Sequence, residues 1–168
     1  MRAKRFWKNK AAAVMAAFLC AAGLGAVSCQ SAPSRQPLDV PFISQAEAYP
    51  TGCESVSTVM ACRYAGISID VETFIDSYLP KDSFIYENGV MMGSHPDTAF
   101  MGDPYTDNGF GCYAPCIEKA VRGFLPEGYV LKNTTSTGVP ELCRKYIDAG
   151  IPVILWATMY MKEPTEGA

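Results

Sequence analysis

The chain has 168 residues, with 14 Lys+Arg, 17 Asp+Glu and seven cysteines. Five of the positive charges stand in the first ten residues, MRAKRFWKNK, so from residue 29 onward nine Lys/Arg face all seventeen acids, a net charge of −8. An acidic chain without a basic tract is no candidate for nucleic acid or for an anionic membrane surface, and the roughly 140 residues left bury one core rather than two.

The basic start is followed by AAAVMAAFLCAAGLGAV, an unbroken run of small apolar residues. A charged n-region and a short apolar h-region are the pattern of an export signal, read here over residues 1–28. The run is too short and too rich in Ala and Gly for a membrane span. Processing has two readings. AVS before Cys29 suits plain secretory cleavage, whereas GAVSC resembles a bacterial lipobox, which would make Cys29 a lipidated N-terminus. QSAPSRQP then serves as a flexible tether, 29–37. The expected location is extracellular or on the cell envelope, with membrane contact only through that lipid on the outer face of the cytoplasmic membrane.

The domain is read from 38 to 168. LDVPFISQ (38–45) predicts a short strand or extended arm interrupted by Pro41. From Cys53, the spacing of Val56, Val59, Met60 and Tyr64 predicts a helix that Gly66 ends. A second helix is expected from Val71 to Leu79, capped by Asp70 and stopped by Pro80. Residues 80–112 are rich in Gly, Pro, Asp and Asn and show no sustained period. They carry Phe84, Tyr86, Phe100, Tyr105 and Phe110, which favours an ordered groove wall over a disordered insertion. Pro115 marks the start of a third helix, from about Ala114 to Phe124. A fourth runs from about Pro140 to Ala149, with Gly150 as its stop. IPVILWATMYM (151–161) is β-branched and aromatic throughout and predicts a buried strand. Helices followed by the beginning of a sheet make an α+β pattern.

Cys53 is the residue that invites chemistry. A thiol at a helix N-terminus meets the positive end of the macrodipole and unpaired N–H groups, an environment expected to lower its pKa. Gly52 lets other atoms approach its backbone. Gln45, eight residues upstream, is an uncharged amide donor of the kind that holds an oxyanion. Spacing alone leaves Cys53 open to two other roles, half of a disulfide or a small core residue. Five cysteines follow Cys29, an odd number, so intramolecular pairing leaves one thiol over.

LDVPFISQ followed by YPTGCESVSTVMACRYAG, with AFMGDP, GFGCYAP and YIDAGIPVILWATM in the same order later, resembles the bacteriocin-processing (double-glycine leader) peptidase-like family of the papain-like cysteine peptidase superfamily. The resemblance covers about 38–161 and implies a papain-like α+β fold and hydrolysis of peptide or amide bonds, with no cofactor. It implies that Cys53 is the nucleophile and Gln45 the oxyanion-hole amide. The family's base is a His on the strand after the one matched by 151–161, oriented by a later Asp or Asn. Both positions would fall beyond Ala168, so the chain is expected to be a fragment that stops before its catalytic His, or an inactive relative. The sole histidine, His95 in GSHPDTAF, stands where that pattern has no base.

Other constellations are weaker. Cys112, Cys116 and Cys143 with His95 have spacing that zinc tolerates, but Tyr113 and Pro115 read as a loop-to-helix corner with buried thiols. GDPYTDNG (102–109) lacks the distal Glu of a calcium loop, and Asp103 there is expected to orient backbone; no metal site is assigned. The resulting expectation is an exported cysteine peptidase acting on a peptide or protein substrate. A binding module that holds a peptide in the same groove without cutting it is the alternative.

Overall fold

The computed structural model describes residues 36–158, 161 and 162. The expected export signal, the Cys29 anchor and most of the tether lie outside the described residues. Four short strands and four helices follow in order. Helix α1 is Cys53–Tyr64. Helix α2 is the single turn Val71–Thr73, which widens into a π-helical turn at Phe74–Tyr78. Strands β1 Lys81–Asp82, β2 Ile85–Glu87, β3 Val90–Met92 and β4 Phe100–Met101 come next. Helices α3 Ala114–Arg122 and α4 Val139–Lys145 complete the set, the latter continued by a 3-10 turn at Ile147–Ala149. The class is α+β, as the sequence predicts. Among the described residues no helix is long and apolar enough to cross a membrane.

The helix boundaries fall where local chemistry sets them. Gly66 leaves α1 with a φ of +84°, a conformation that costs a glycine little. Asp70 caps α2, its Oδ1 accepting from the Thr73 N–H at 2.7 Å and its Oδ2 from the Thr73 hydroxyl at 2.8 Å. Pro115 occupies the first turn of α3 and Gly150 ends the last helical stretch with a φ of +75°. Asp70→Ala removes a capping acceptor, and a thermal melt should show a Tm lower by a few degrees. Asp70→Asn, which keeps an acceptor, should restore most of it. Equal losses in both would show that the cap contributes nothing.

The core lies where α1 and α2 meet α3. Val56 and Val59 from α1 pack with Phe74, Ile75 and Leu79 from the α2 region and with Cys116, Ile117, Ala120 and Val121 from α3. Phe124 closes one end, its ring edge-on to Phe74 at 6.0 Å. The backbone hydrogen bond from Leu79 to Phe74 widens the second turn, which places Phe74, Ile75 and Leu79 together on the buried side.

Residues 80–112 are ordered, as expected, but not as a plain loop. β1 pairs in parallel with β4, Lys81 opposite Phe100 and Asp82 opposite Met101. β2 and β3 form an antiparallel hairpin around Asn88 and Gly89, both at positive φ, as a type I′ turn requires. Met101 bridges onward to Gly111. The strand expected over 151–161 requires correction. Residues 151–158 carry no strand pairing, and Ile151, Leu155 and Trp156 are exposed. A β-branched run satisfies its backbone as a strand only when another strand lies beside it, and none does among the described residues. The small sheets come instead from 81–101, and the arm at 38–45 likewise forms no strand.

Candidate active site

Cys53 is the first residue of α1 and is exposed. The chain reaches it through two successive turns, in which the Tyr49 N–H bonds the Gln45 carbonyl and the Gly52 N–H the Tyr49 carbonyl, each at 2.9 Å. Tyr49 is buried and pins this unit to α2 by donating its phenol to Glu72. Burial and that carboxylate push the phenol up to about 12, so it stays a donor at every physiological pH. Gly52 is close-packed, because a Cβ there would stand 3.0 Å from Tyr49 Cβ and 3.4 Å from Pro104 Cβ. Gln45 and Cys53 therefore belong to one rigid turn-to-helix unit. The Gln45 amide donates one N–H to the Pro50 carbonyl at 3.3 Å, which leaves its second for another acceptor.

The electrostatics of Cys53 correct the expectation from the helix dipole. Its thiol donates to Glu54 Oε2 at 3.2 Å. Loss of solvent and the adjoining Glu54 carboxylate push it up to about 11, rather than down. A full negative charge in contact outweighs the roughly half charge of a helix end. Glu54 is the residue that sequence reasoning missed. Its other oxygen, Oε1, accepts the Cys112 N–H at 3.0 Å, so one carboxylate ties the start of α1 to a segment 58 residues later. Gly111 makes room for it, since a Cβ there would collide with Oε1. The acid directly after the cysteine, and a glycine before Cys112, were the signals available. One residue on, the buried Ser55 Oγ has no hydrogen-bond partner among the described residues, a local cost of about 1–3 kcal/mol.

A second set of bonds holds the 102–112 segment against the start of α1. Thr51 Oγ1 donates to the Thr106 carbonyl at 2.9 Å and to the Asp103 carbonyl at 3.2 Å. Asp103 turns the chain by accepting the Tyr105 N–H at 3.0 Å, the backbone role expected of it. Trp156 Nε1 donates to the Cys112 carbonyl at 2.9 Å, so Cys112 is held at both its amide and its carbonyl. Beneath it the Cys112 thiol hydrogen-bonds Cys116, which raises the former and lowers the latter. Both are buried, and all five cysteines of the described residues are free thiols.

Among the described residues His95 and Cys53 share no hydrogen bond or ion pair. The His95 Nδ1 lies 3.4 Å from Asp97 Oδ2, and its ring stands edge-on to Tyr113 at 6.4 Å. Among the described residues no three His, Cys, Asp or Glu side chains converge as a metal site.

The chain matches the model of the Peptidase_C39 like family over residues 37–167. No curated protein matches it, and no solved structure does. The match spans the α+β domain just described, whose helical part and small sheets are consistent with a papain-like peptidase fold.

Proposed function

This chain belongs to the Peptidase_C39 like family, a family of cysteine peptidases, and we propose that Cys53 is its nucleophile and Gln45 its oxyanion donor. The supporting observation is the placement of Cys53, an exposed thiol on the first residue of α1, on a unit that Tyr49 and Glu54 hold rigid. In this reading the thiolate attacks a peptide carbonyl. The second N–H of Gln45 and the backbone N–H of Cys53, unpaired at the helix start, stabilise the oxyanion. The amine leaves, and water releases the acyl group from sulfur.

Deprotonating a thiol this basic needs an imidazole, and among the described residues no hydrogen bond or ion pair joins His95 to Cys53. The Cys-His mechanism is therefore proposed with no histidine assigned to it, and the 168-residue chain is expected to turn over little substrate. Export, with Cys29 as the lipid-bearing residue, is proposed from the N-terminal sequence; a diacylglyceryl mass on the Cys29 peptide is its readout.

Iodoacetamide tests the nucleophile directly. Cys53 is exposed, whereas Cys62, Cys112 and Cys116 are buried and Cys143 is half-buried. Peptide mapping should find Cys53 alkylated ahead of the buried Cys62, Cys112 and Cys116, and Cys53→Ala should remove that phase. A buried cysteine reacting ahead of Cys53, or efficient hydrolysis by the Cys53→Ala chain, would sink the proposal. One observation favours the alternative of a non-cleaving peptide-binding envelope lipoprotein: loss of solvent, with Glu54 beside it, keeps the thiol protonated. Under that reading Cys53→Ala leaves peptide binding intact and no hydrolysis ever appears.

A further inference from the structure

The 102–113 segment is fastened to both sides of the nucleophile. Thr51, two residues before Cys53, holds the Asp103 and Thr106 carbonyls, and Glu54, the residue after it, holds the Cys112 N–H. The Cys112 amide is thus one carboxylate away from the Cys53 sulfur. Gly109 and Gly111 let the segment press this closely, for a Cβ on the first would collide with Thr51 Oγ1 and on the second with Glu54 Oε1. On either side of Gly111 and Cys112 stand two large aromatic residues left in solvent, Phe110 at 66% exposure and Tyr113 at 50%. Tyr113 forms no side-chain cap to α3, and its ring stands edge-to-face with His95. Immediately before the segment, Phe100 and Met101 are buried, at 0% and 2% exposure. The exposed rings of Phe110 and Tyr113 flank the residue whose amide Glu54 holds beside the Cys53 thiol.

Charge narrows the occupant. From 83 to 117 there is no Lys or Arg, while Glu87, Asp97, Asp103 and Asp107 all lie in that stretch. An acidic chain laid along this wall would be repelled, and a neutral or basic one drawn in. Aromatic rings at a binding surface gain most by covering another apolar group.

We propose that Phe110 and Tyr113 form a specificity subsite, which receives a bulky apolar side chain next to the scissile carbonyl of a non-acidic peptide. The inference rests on Cys53 as nucleophile and names the substrate class for that site.

Peptidyl chloromethyl ketones carrying Phe, Leu, Gly or Asp beside the reactive carbon test it, with iodoacetamide as a side-chain-blind reference. Sulfur displaces a halide from carbon in both kinds of reagent, chloride from the ketones and iodide from iodoacetamide, so no histidine is required. The readout is the rate of Cys53 labelling by each ketone divided by that of iodoacetamide. The Phe and Leu reagents should exceed the Asp reagent by about tenfold or more, the worth of burying part of one apolar side chain. Tyr113→Ala and Phe110→Ala should each shrink that ratio, and Tyr113→Phe should keep it. Equal ratios for Phe, Gly and Asp in the unmodified chain, or a preference that survives both alanine variants, overturns the subsite. Failure of the nucleophile looks different: Cys53 is then not alkylated ahead of the buried cysteines by iodoacetamide itself, and the subsite falls with it.

Discussion

Glu54→Gln is expected to lower the Cys53 thiol from about 11 toward its ordinary 9.0. Three effects raise it: loss of solvent first, then the charge of Glu54 and the hydrogen bond to it. The substitution removes the charge, and the Gln amide can donate to a thiolate where the carboxylate could only accept from a thiol. Loss of solvent remains, so the value should fall without reaching 9.0. Below the pKa, each unit of fall multiplies the thiolate fraction about tenfold. Iodoacetamide labelling of Cys53 at pH 8 should rise accordingly, tempered by the lower intrinsic nucleophilicity of a weaker base. Absorbance of the thiolate across a pH titration, with Cys53→Ala subtracted, gives the pKa itself. An unchanged midpoint would show that desolvation alone sets it.

The same shift has a consequence for stability. A thiol that is harder to ionise in the folded chain than in the unfolded one favours the fold at pH values below its unfolded pKa. That contribution fades as pH rises from about 9 through about 11. Glu54→Gln should narrow this window from above. Because Gln retains an oxygen for the Cys112 N–H, the tie between α1 and the 102–112 segment should survive.

Why Glu54 was not legible in the sequence is instructive. Of the predicted apolar face only Val56 and Val59 are buried, while Met60 and Tyr64 stay half-buried and Ser55, Thr58 and Cys62 turn inward. The helix start and the small residue before Cys53, being local features, were legible. So were the Asp70 cap, Pro115 at the head of α3 and the Gly150 stop, because capping chemistry acts within a few residues. The thiol's pKa depends on a carboxylate whose orientation is fixed by an amide 58 residues away, and no periodicity carries that. The β2 and β3 hairpin was missed although Asn88 and Gly89 announce its turn. Its flanks, Ile85 to Glu87 and Val90 to Met92, are exposed throughout and do not alternate. For 151–158 the opposite error occurred. Composition gives a segment's preference for a strand, but a strand exists only with a partner, and the partner is a non-local fact.

Phe100→Ala should be the most damaging substitution in the 80–112 region, costing about 3–5 kcal/mol. Its side chain is fully buried, and its strand β4 is held by Lys81 opposite and by its own N–H to the Pro80 carbonyl at 2.7 Å. Removing the ring leaves a cavity that this short parallel pair cannot collapse to fill. A domain of this size is stable by about 5–15 kcal/mol, so the loss is about a fifth of the total or more. The expected fall in Tm is on the order of 10 °C or more. Phe110→Ala, ten residues later in the same segment, should change stability by no more than about 0.5 kcal/mol, because its ring is two-thirds in water. Denaturant titration of the pair separates the two faces of the wall. If Phe100→Ala cost no more than Phe110→Ala, the segment would not be packed on the core. It could then not hold Cys112 against Glu54, and the coupling between the wall and Cys53 would be lost with it.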